Sequence, residues 1–463
     1  MTIRGRLDEV LRQALYMVRP APEELKMAEN IAQTLVESLR TAFAGRAVKV
    51  TLEGSYAKGT VLRGRNEVDI FIHFHPSNPL DKISRETIET SSHIIKSLGG
   101  IVRLRYAEHP YTEGFIDKVR VNIVPCYSVE KGAWITAVDR TPYHTEFVRK
   151  NLRENQVGDV QLLKGFLTAS DLYGAEIRVS GFSGYLCELL IIHYGTLANL
   201  IREAVEWRPP VLVGPKSIAL HKKYPSAAMI LADPVDENRN VAAAVSAENL
   251  HHFVLLSRLF LAQPRLEYFN RPSWGENLNM AGRGLLSIVF DTPSGKPPDI
   301  LWGEIRRTAE GISRCLAHHG FTPLRWKAHT DERSAVILFE LDETVLPPHH
   351  VHAGPPVTHH RAIEFVQRQV RSPRVVAGPW ISGGRLYSLR RREYTRADRL
   401  LMEKLKVGEI SVAKGLAEAL NQAKITQDSE VIKAELDARD LTAFLAEFVE
   451  ACPGYIKTYR SHT

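Results

Sequence analysis

The sequence has few cysteines, no long apolar run and no apolar segment at its start, and each of these absences excludes a class of protein. Its four cysteines are far apart and form no C-x-x-C pair, which argues against a disulfide framework and against a zinc site. No apolar run approaches the roughly 18 residues of a membrane-spanning helix. The first residues lack the apolar core of a signal peptide. We therefore expect a cytoplasmic protein with no membrane segment.

Length and charge narrow the remaining possibilities. The 463 residues are enough for about three domains, and 44% of them are hydrophobic, an ordinary content for globular domains. The 60 lysines and arginines exceed the 53 aspartates and glutamates, which gives a formal net charge of +7. Net charge says little about the fold, but it favours a polyanion as the partner.

A glycine-serine turn and the strand that follows it carry the clearest chemical signal. Gly54 and Ser55 begin a turn of small residues, where backbone N–H groups and a hydroxyl can approach a phosphate. Residues 67–72 alternate as a strand does, so the carboxylates of Glu67 and Asp69 point to the same side, with their Cα atoms about 7 Å apart. Such a pair can hold Mg²⁺, which prefers oxygen ligands. This order and spacing resemble the nucleotidyltransferase superfold that includes DNA polymerase β, in which two metal ions promote phosphoryl transfer.

A later predicted strand, residues 118–125, should supply a third carboxylate if the chain has this superfold. Its alternate apolar residues face the core, so Arg120 and Asn122 face away. Asn122 is the polar residue in the matching place, and its amide oxygen can bind a metal ion but carries no charge. Asp117 lies five residues earlier, on the opposite face of a regular strand, and cannot simply replace it. We therefore expect a site with one negative charge fewer than usual.

Several further segments carry a more specific resemblance. They are RYAEHPY at 105–111, VPCY at 124–127, AVDRTP at 137–142, GFSGYLCELL at 181–190, DPVD at 233–236 and NRNVAA at 238–243. Together they resemble the archaeal, class I CCA-adding enzymes, the tRNA nucleotidyltransferases that build the 3′-terminal C-C-A without a nucleic-acid template. The resemblance is strongest between residues 50 and 245 and looser in the C-terminal part.

The resemblance implies roles for individual residues. Glu67, Asp69 and Asn122 match the metal ligands, with Asn122 standing where the family has an aspartate. Arg239 matches the arginine that reads the base edge of CTP or ATP. The residues that match those around the incoming triphosphate and sugar are Ser55, Lys58 (usually arginine in the family), Thr141, His144, Lys164 and Tyr173.

The C-terminal part predicts a second sheet. From residue 285 the predicted order is β-α-β-β-α-β, which is typical of a ferredoxin-like or RNA-recognition-like sheet. Its second helix is expected at 361–369, and later strands at 374–381 and 385–389. An aromatic ribonucleoprotein signature is lacking, so stacking of bases on this sheet is not supported. The histidine-rich segment at 347–352 is interpreted as an exposed loop rather than a metal site.

An arginine-rich stretch lies within the same part of the chain. Between residues 371 and 399 there are eight arginines and two acids, a local excess of +6 against +7 for the whole chain. A charge run is usually a solvated surface, but this concentration favours contact with an RNA backbone. We predict that Arg390, Arg391 and Arg392 bind RNA.

These observations predict an α+β protein of three domains. Residues 1–140 form a polymerase-β-like nucleotidyltransferase domain, 141–265 a helical central nucleotide-binding domain, and 266–463 a ferredoxin-like C-terminal body with a helical tail that binds tRNA. The expected reaction is attack of a tRNA 3′-hydroxyl on the α-phosphorus of CTP or ATP, assisted by Mg²⁺ and slowed by Asn122. Two alternatives stay open: a tRNA-binding relative that has lost catalysis, and a relative that makes poly(A) or a nucleotide second messenger. A homodimer is also left open.

Overall fold

Helices and strands alternate along the computed structural model, which describes residues 3–106, 110–271, 274 and 278–460. They divide between two units, Met1–Ser273 with Cys452–Thr463, and Trp274–Ala451. Both units contain helices and sheets, so the predicted α+β class is confirmed. Within the segment at 105–111, Ala107, Glu108 and His109 lie outside the described residues.

The first part of the chain, up to Ser273, contains ten labelled helices and seven strands among its described residues. The helices are α1 (Ile3–Val18), α2 (Pro22–Ala42), α3 (Gly54–Ala57), α4 (Leu80–Ser97), α5 (Thr141–Asn151), α6 (Val157–Ala169), α7 (Gly184–Tyr194), α8 (Leu197–Ala204), α9 (Pro215–His221) and α10 (Ala247–Ala262). The strands are β1 (Lys49–Glu53), β2 (Glu67–Phe74), β3 (Ile101–Tyr106), β4 (Pro110–Ile116), β5 (Val119–Tyr127), β6 (Val211–Val213) and β7 (Met229–Leu231). Short 3₁₀ helices occupy Ala137–Arg140, Glu154–Gln156 and Leu266–Phe269.

A five-stranded sheet organises the N-terminal half of this unit. Its order is β1-β2-β5-β4-β3, with β2 and β5 parallel and the other neighbours antiparallel. Alternation along β2 buries Val68, Ile70 and Ile72 in a core shared with α2 and α4. Glu67 and Asp69 therefore face the other side of the sheet. The sequence predicts no strand between 106 and 118, because proline, glycine and polar residues interrupt the alternation of β4.

A second core lies among the helices that follow the sheet. It joins α6, α7, α8 and α10 to α1, and its members include Val18, Phe166, Leu190 and Phe260. α7 begins where the Ser183 hydroxyl accepts a hydrogen bond from the backbone N–H of Leu186, a normal N-cap. In the described part of the chain no single helix is long and apolar enough to cross a membrane. Helices α7 and α8 pass that test only as a pair, with a bend of 92° between them.

The second unit contains the remaining sheet structure. Its helices are α11 (Pro298–His318), α12 (Ala362–Arg371), α13 (Ala397–Lys406), α14 (Ala417–Asn421), α15 (Ser429–Asp437) and α16 (Thr442–Glu450). Its strands are β8 (Gly284–Asp291), β9 (Pro323–Thr330), β10 (Ser334–Leu341), β11 (His349–Pro356), β12 (Val375–Ser382), β13 (Arg385–Arg391) and β14 (Lys424–Thr426). A 3₁₀ helix occupies Lys414–Leu416.

The predicted ferredoxin-like order is present, but different elements complete it. The four-stranded sheet has the order β14-β8-β10-β9 with antiparallel neighbours, which is the split β-α-β arrangement. Its second helix and fourth strand are α13 and β14, not the predicted helix at 361–369 and strand at 374–381. Those segments belong to α12 and to a separate sheet, β11-β13-β12. β14 has three residues, too few to show an alternating pattern.

The residues between β10 and α13 therefore interrupt the ferredoxin-like sheet. The histidine-rich segment begins β11 instead of forming the expected exposed loop, and His349 and His350 pair with Arg391 and Arg390 of β13. Prolines just before this strand and at its end are typical of a loop, which explains the wrong prediction.

The last helix, α17 (Gly454–Arg460), belongs to the first unit. Tyr455 is buried in the helical core of that unit, and its hydroxyl lies 2.6 Å from Nδ1 of His252 on α10. The sequence-based domain limits place these residues in the C-terminal body. A short amphipathic helix indicates burial but does not indicate which core it joins.

Candidate active site

The acid pair and Asn122 lie side by side on the sheet face opposite α2 and α4. Strands β2 and β5 are in register so that Asp69 lies opposite Asn122. The amide Nδ2 of Asn122 donates to Glu67 Oε1 at 2.6 Å and to Asp69 Oδ1 at 2.9 Å. Asp117 is exposed, in the turn between β4 and β5. The structure thus groups the three residues that the sequence singled out.

Asp69 is poorly stabilised as a carboxylate in this arrangement. Burial raises its pKa to about 7, and the charge of Glu67 adds to the rise. The N–H group of Asn122 and the positive charges of Arg120 and Lys58 oppose that rise. Near neutral pH the acid pair therefore favours either a proton or a bound cation.

The glycine turn packs directly against Asp69. Gly54 has φ +70°, and a Cβ atom there would lie 1.9 Å from Asp69 Oδ2. A side chain has no room at this position, so the sequence needs glycine. The backbone N–H of Thr60 donates to the carbonyl of Ser55 at 2.9 Å and closes the turn, which leaves Ser55 half-buried beside the acids.

Two lysines that the resemblance assigns to the triphosphate share one buried glutamate. Glu188 of α7 is fully buried, and its Oε2 lies 2.6 Å from the Lys58 ammonium. Its Oε1 accepts from the Thr60 hydroxyl at 2.6 Å and lies 3.2 Å from the Lys164 ammonium. Lys164 also donates to the hydroxyl and carbonyl of Thr60. The cluster therefore has one net positive charge and joins α6 and α7 to the glycine turn.

Glu188 has a signal in the sequence that the sequence-based prediction did not use. Burial by itself would raise its pKa, but the two ammonium groups outweigh burial and lower it. A charged residue in a helix that is apolar on every side needs a partner of opposite charge. The pattern thus indicates that Glu188 has a partner, and the fold identifies that partner.

A second buried carboxylate holds the residues assigned to the base and sugar. Asp233 is fully buried, and its Oδ2 accepts from Nε2 of His144 and from Nη1 of Arg239, both at 2.9 Å. Its Oδ1 accepts from the Tyr185 hydroxyl at 3.1 Å and from the backbone N–H of Val235 at 2.9 Å. The His144 ring stacks on that of Tyr185 with centroids 4.1 Å apart. One acid therefore orients three side chains from three parts of the chain.

The electrostatics of this cluster follow from Asp233. Burial would raise the pKa of Asp233, but its hydrogen bonds and the charge of Arg239 lower it to about 2. Burial lowers the pKa of His144, although Asp233 opposes that shift. Arg239 keeps 36% of its side chain exposed, so part of its guanidinium faces solvent. Asp233 and Tyr185 both occur in segments that carry the resemblance, but neither was assigned a role.

The other predicted residues lie in two places. Thr141 is the first residue of α5, three residues before His144. The guanidinium of Arg65 lies over the ring of Tyr173, 4.9 Å from the ring centroid. The Lys58 ammonium is 5.8 Å from the Tyr185 ring centroid, so the lysine and Asp233 clusters adjoin. The predicted RNA-binding residues Arg390, Arg391 and Arg392 are in the second unit, at the end of β13 and just after it.

Three known domain families match this chain in order. Residues 33–144 match the nucleotidyltransferase domain, 158–270 the second domain of tRNA nucleotidyltransferase, and 281–428 the C-terminal domain of CCA-adding enzyme.

Whole relatives match as well. The chain is 37% identical over 401 residues to a CCA-adding enzyme of Pyrobaculum neutrophilum, which covers 86% of this chain and 94% of that protein. It is 35% identical over 426 residues to one of Methanopyrus kandleri, covering 85% and 86%. The chain belongs to the family of archaeal CCA-adding enzymes. A relative from Methanothermobacter thermautotrophicus, 35% identical over 383 residues, agrees.

The family of nucleotidyltransferases to which CCA-adding enzymes belong generally uses divalent metal ions, and this site fits one such ion. Two carboxylates are adjacent, and Oδ1 of Asn122 is buried with no hydrogen-bond partner among the described residues. Two carboxylates and one amide oxygen are hard-oxygen donors, although in the observed orientation the amide of Asn122 presents Nδ2, and not Oδ1, to the carboxylates. Among the residues that the structure describes, no cluster of three histidine, cysteine or acidic side chains forms a metal site, which is consistent with an amide in the third position.

Proposed function

We propose that this chain adds C, C and A to the 3′ end of tRNA from CTP and ATP, without a nucleic-acid template. The observation that carries the proposal is its similarity to archaeal CCA-adding enzymes over 83–94% of their length. The acid pair beside the glycine turn supplies the matching chemistry. In each step the 3′-hydroxyl oxygen bonds to the α-phosphorus, and the bond from the α-phosphorus to the oxygen shared with the β-phosphate breaks. Pyrophosphate leaves, and the hydroxyl proton is released to solvent.

We assign Mg²⁺ as the ion, with Glu67, Asp69 and Asn122 as the residues that hold it. When bound, the ion draws charge from the phosphate oxygens and lowers the pKa of the attacking hydroxyl. For Asn122 to contribute, its amide has to turn so that Oδ1 replaces Nδ2 beside the carboxylates. The two N–H contacts to Glu67 and Asp69 are then lost. This cost, together with the missing charge, supports slow addition of C and A.

The two buried acids organise the proposed nucleotide site. Arg239 uses one of its five N–H donors on Asp233 in the observed contact, and others remain for acceptors on the base edge. Both lysines contact Glu188, but Lys58 is the better candidate for a phosphate contact, because its side chain is 8% exposed against 1% for Lys164, which also donates to Thr60. The remaining proposed contacts to triphosphate and sugar come from Ser55, Thr141, His144 and Tyr173.

A tRNA-binding relative without catalysis is the second candidate, and Asn122 is the observation that favours it. Radiolabelled CTP and ATP, supplied with a tRNA that lacks its C-C-A end, separate the candidates. We expect incorporation of two C and one A per tRNA. Binding without incorporation would support the second candidate, and long runs of A would support a poly(A)-making enzyme.

The remaining partners stay predictions. Arg390, Arg391 and Arg392 are proposed to contact the tRNA backbone, and the proposed compartment is the cytoplasm. The possibility of a homodimer is addressed by measuring the mass of the full chain in solution by light scattering.

A further inference from the structure

A guanidinium group lies between the acid pair and a third carboxylate. Arg120 is on β5, two residues before Asn122 on the same face, and pairs in register with Glu67 of β2. One of its nitrogens, Nη2, donates to Glu67 Oε1, and the other, Nη1, lies 3.7 Å from Glu113 Oε1. Glu113 is on β4, directly opposite Asn122. The arginine thus has a carboxylate on each side.

The buried carboxylate of Glu113 can bind the guanidinium group of an arginine. Only 4% of its side chain is exposed, and Nε of Arg105 donates to its Oε2 at 3.1 Å. A carboxylate so deeply buried needs compensating positive charge. Oε1, the oxygen that Arg105 leaves available in this contact, is the one that faces Arg120. Glu113 can therefore accept Arg120 more fully without any change in its own position.

The contacts of Glu67 put Arg120 in competition with a metal ion. Glu67 Oε1 accepts from both Arg120 Nη2 and Asn122 Nδ2. Two donors use both lone pairs of one carboxylate oxygen. A divalent ion that takes this oxygen has to displace them, and a positively charged guanidinium close to the ion would also repel it. Arg120 keeps 44% of its side chain exposed, so it has room to move.

We propose that Arg120 is a positioning residue with two carboxylate partners: it neutralises Glu67 when no divalent ion is bound and shifts to Glu113 when one binds. The inference rests on the proposed function of this acid pair. Arg120 lowers the affinity of the free site for a divalent ion, and Glu113 restores part of that affinity by accepting the displaced guanidinium. A ligand can shift such an equilibrium only through different contacts in the two states, and Glu67 Oε1 supplies the difference.

The test measures Mn²⁺ binding to the full chain by calorimetry, with neither nucleotide nor tRNA present. Arg120→Gln removes the competitor and should tighten Mn²⁺ binding about fivefold, which corresponds to about 1 kcal/mol. Glu113→Gln removes the second partner and should weaken binding to a similar extent. In the double variant Arg120→Gln/Glu113→Gln, the Glu113 substitution should have little further effect.

Arg103→Gln is the matched control. Arg103 lies on β3 in register with Glu113, but its guanidinium sits over the Phe115 ring, 5.4 Å from the centroid. The Arg103→Gln substitution removes one positive charge from the same sheet, as Arg120→Gln does. We expect it to change the Mn²⁺ affinity less than twofold. An equal gain in affinity in this control would mean that overall charge, and not competition for Glu67, explains the effect.

Two further results would overturn the proposal. The first is a Mn²⁺ affinity that is unchanged or weaker in Arg120→Gln and also unchanged in Arg120→Lys. The lysine variant keeps the positive charge but lacks the forked donors of the guanidinium. The other is an equal loss from Glu113→Gln whether or not Arg120 is present, which would make Glu113 a simple attractive charge. Thermal unfolding in EDTA confirms that each variant is folded. Addition of C and A, measured separately, tests the proposed function, so either proposal can fail alone.

Discussion

Replacing Asn122 by aspartate should have opposite effects on stability with and without a metal ion. The two N–H contacts, to Glu67 and Asp69, disappear and a third carboxylate takes their place. A hydrogen bond to a charged group contributes about 1.5–3 kcal/mol. Because Glu67 is partly exposed, we expect a loss of about 2–4 kcal/mol for both contacts. In EDTA at pH 8 the unfolding midpoint of the first unit should fall by roughly 3–7 °C.

With saturating Mg²⁺ the same substitution should be favourable. The new carboxylate needs no rotation of an amide and adds one negative charge beside the ion, so the metal-dependent rise in the midpoint should exceed that of the parent. Single-turnover incorporation of C at saturating CTP should rise at least tenfold, about 1.4 kcal/mol in barrier height.

Asn122→Ala is the control, because it removes both contacts without adding a charge. It should lose stability in EDTA and gain nothing with metal. If Asn122→Asp incorporates C at the parent rate and shows the parent's metal-dependent midpoint shift, Asn122 is not the third ligand position. The exposed turn residue Asp117 would not be a substitute without rearrangement of the β4–β5 turn.

Three other outcomes follow from the described contacts. Arg239→Ala should reduce discrimination for CTP and ATP against UTP and GTP by about 1–3 kcal/mol, by analogy with bidentate readout of bases. Its affinity for tRNA should stay intact, and competition assays measure both the nucleotide discrimination and the tRNA affinity. Changing Arg390, Arg391 and Arg392 together to alanine should weaken tRNA binding and reduce the slope of log affinity against log salt by up to about three; an unchanged slope would make this a solvated surface. The pKa of Asp69 is about 7 in the folded protein and 3.8 in the unfolded chain, so the folded state holds this proton more tightly. The free energy of unfolding of the metal-free protein should therefore fall as pH rises from about 4 to 7. Divalent-ion affinity should rise over pH 6 to 8, and a flat Mn²⁺ affinity across that range would contradict the assignment of Asp69 as a ligand.

Residues on one strand or one turn were the most predictable part of the site. Alternation places Glu67, Asp69 and Asn122 on the faces of two strands that lie away from the apolar core, and parallel pairing in register then brings them together. The glycine turn is local as well, since Gly54 is needed where the backbone meets Asp69. Local periodicity contains this information because each of these positions is determined by its neighbours in sequence.

Contacts between distant segments were not predictable in the same way. Lys58 and Glu188 are 130 residues apart, and His144 and Asp233 are 89 apart. Periodicity indicates that Glu188 is buried but not which charges accompany it. Glu113 was overlooked because its strand, β4, has no clear alternation, although Arg120 was correctly expected on the face of Asn122. β14 was overlooked for the same reason, since three residues cannot establish a period.

The docking of α17 has a consequence for how the polypeptide divides. His252 meets Tyr455 across 203 residues, and the entire second unit lies between them in the sequence. The first unit is therefore encoded in two pieces, and the second is a nested insertion within it. A fragment ending at residue 273 would expose the apolar surface that Tyr455 covers. Separating the two units cleanly requires two cuts and a new connection, not one cut.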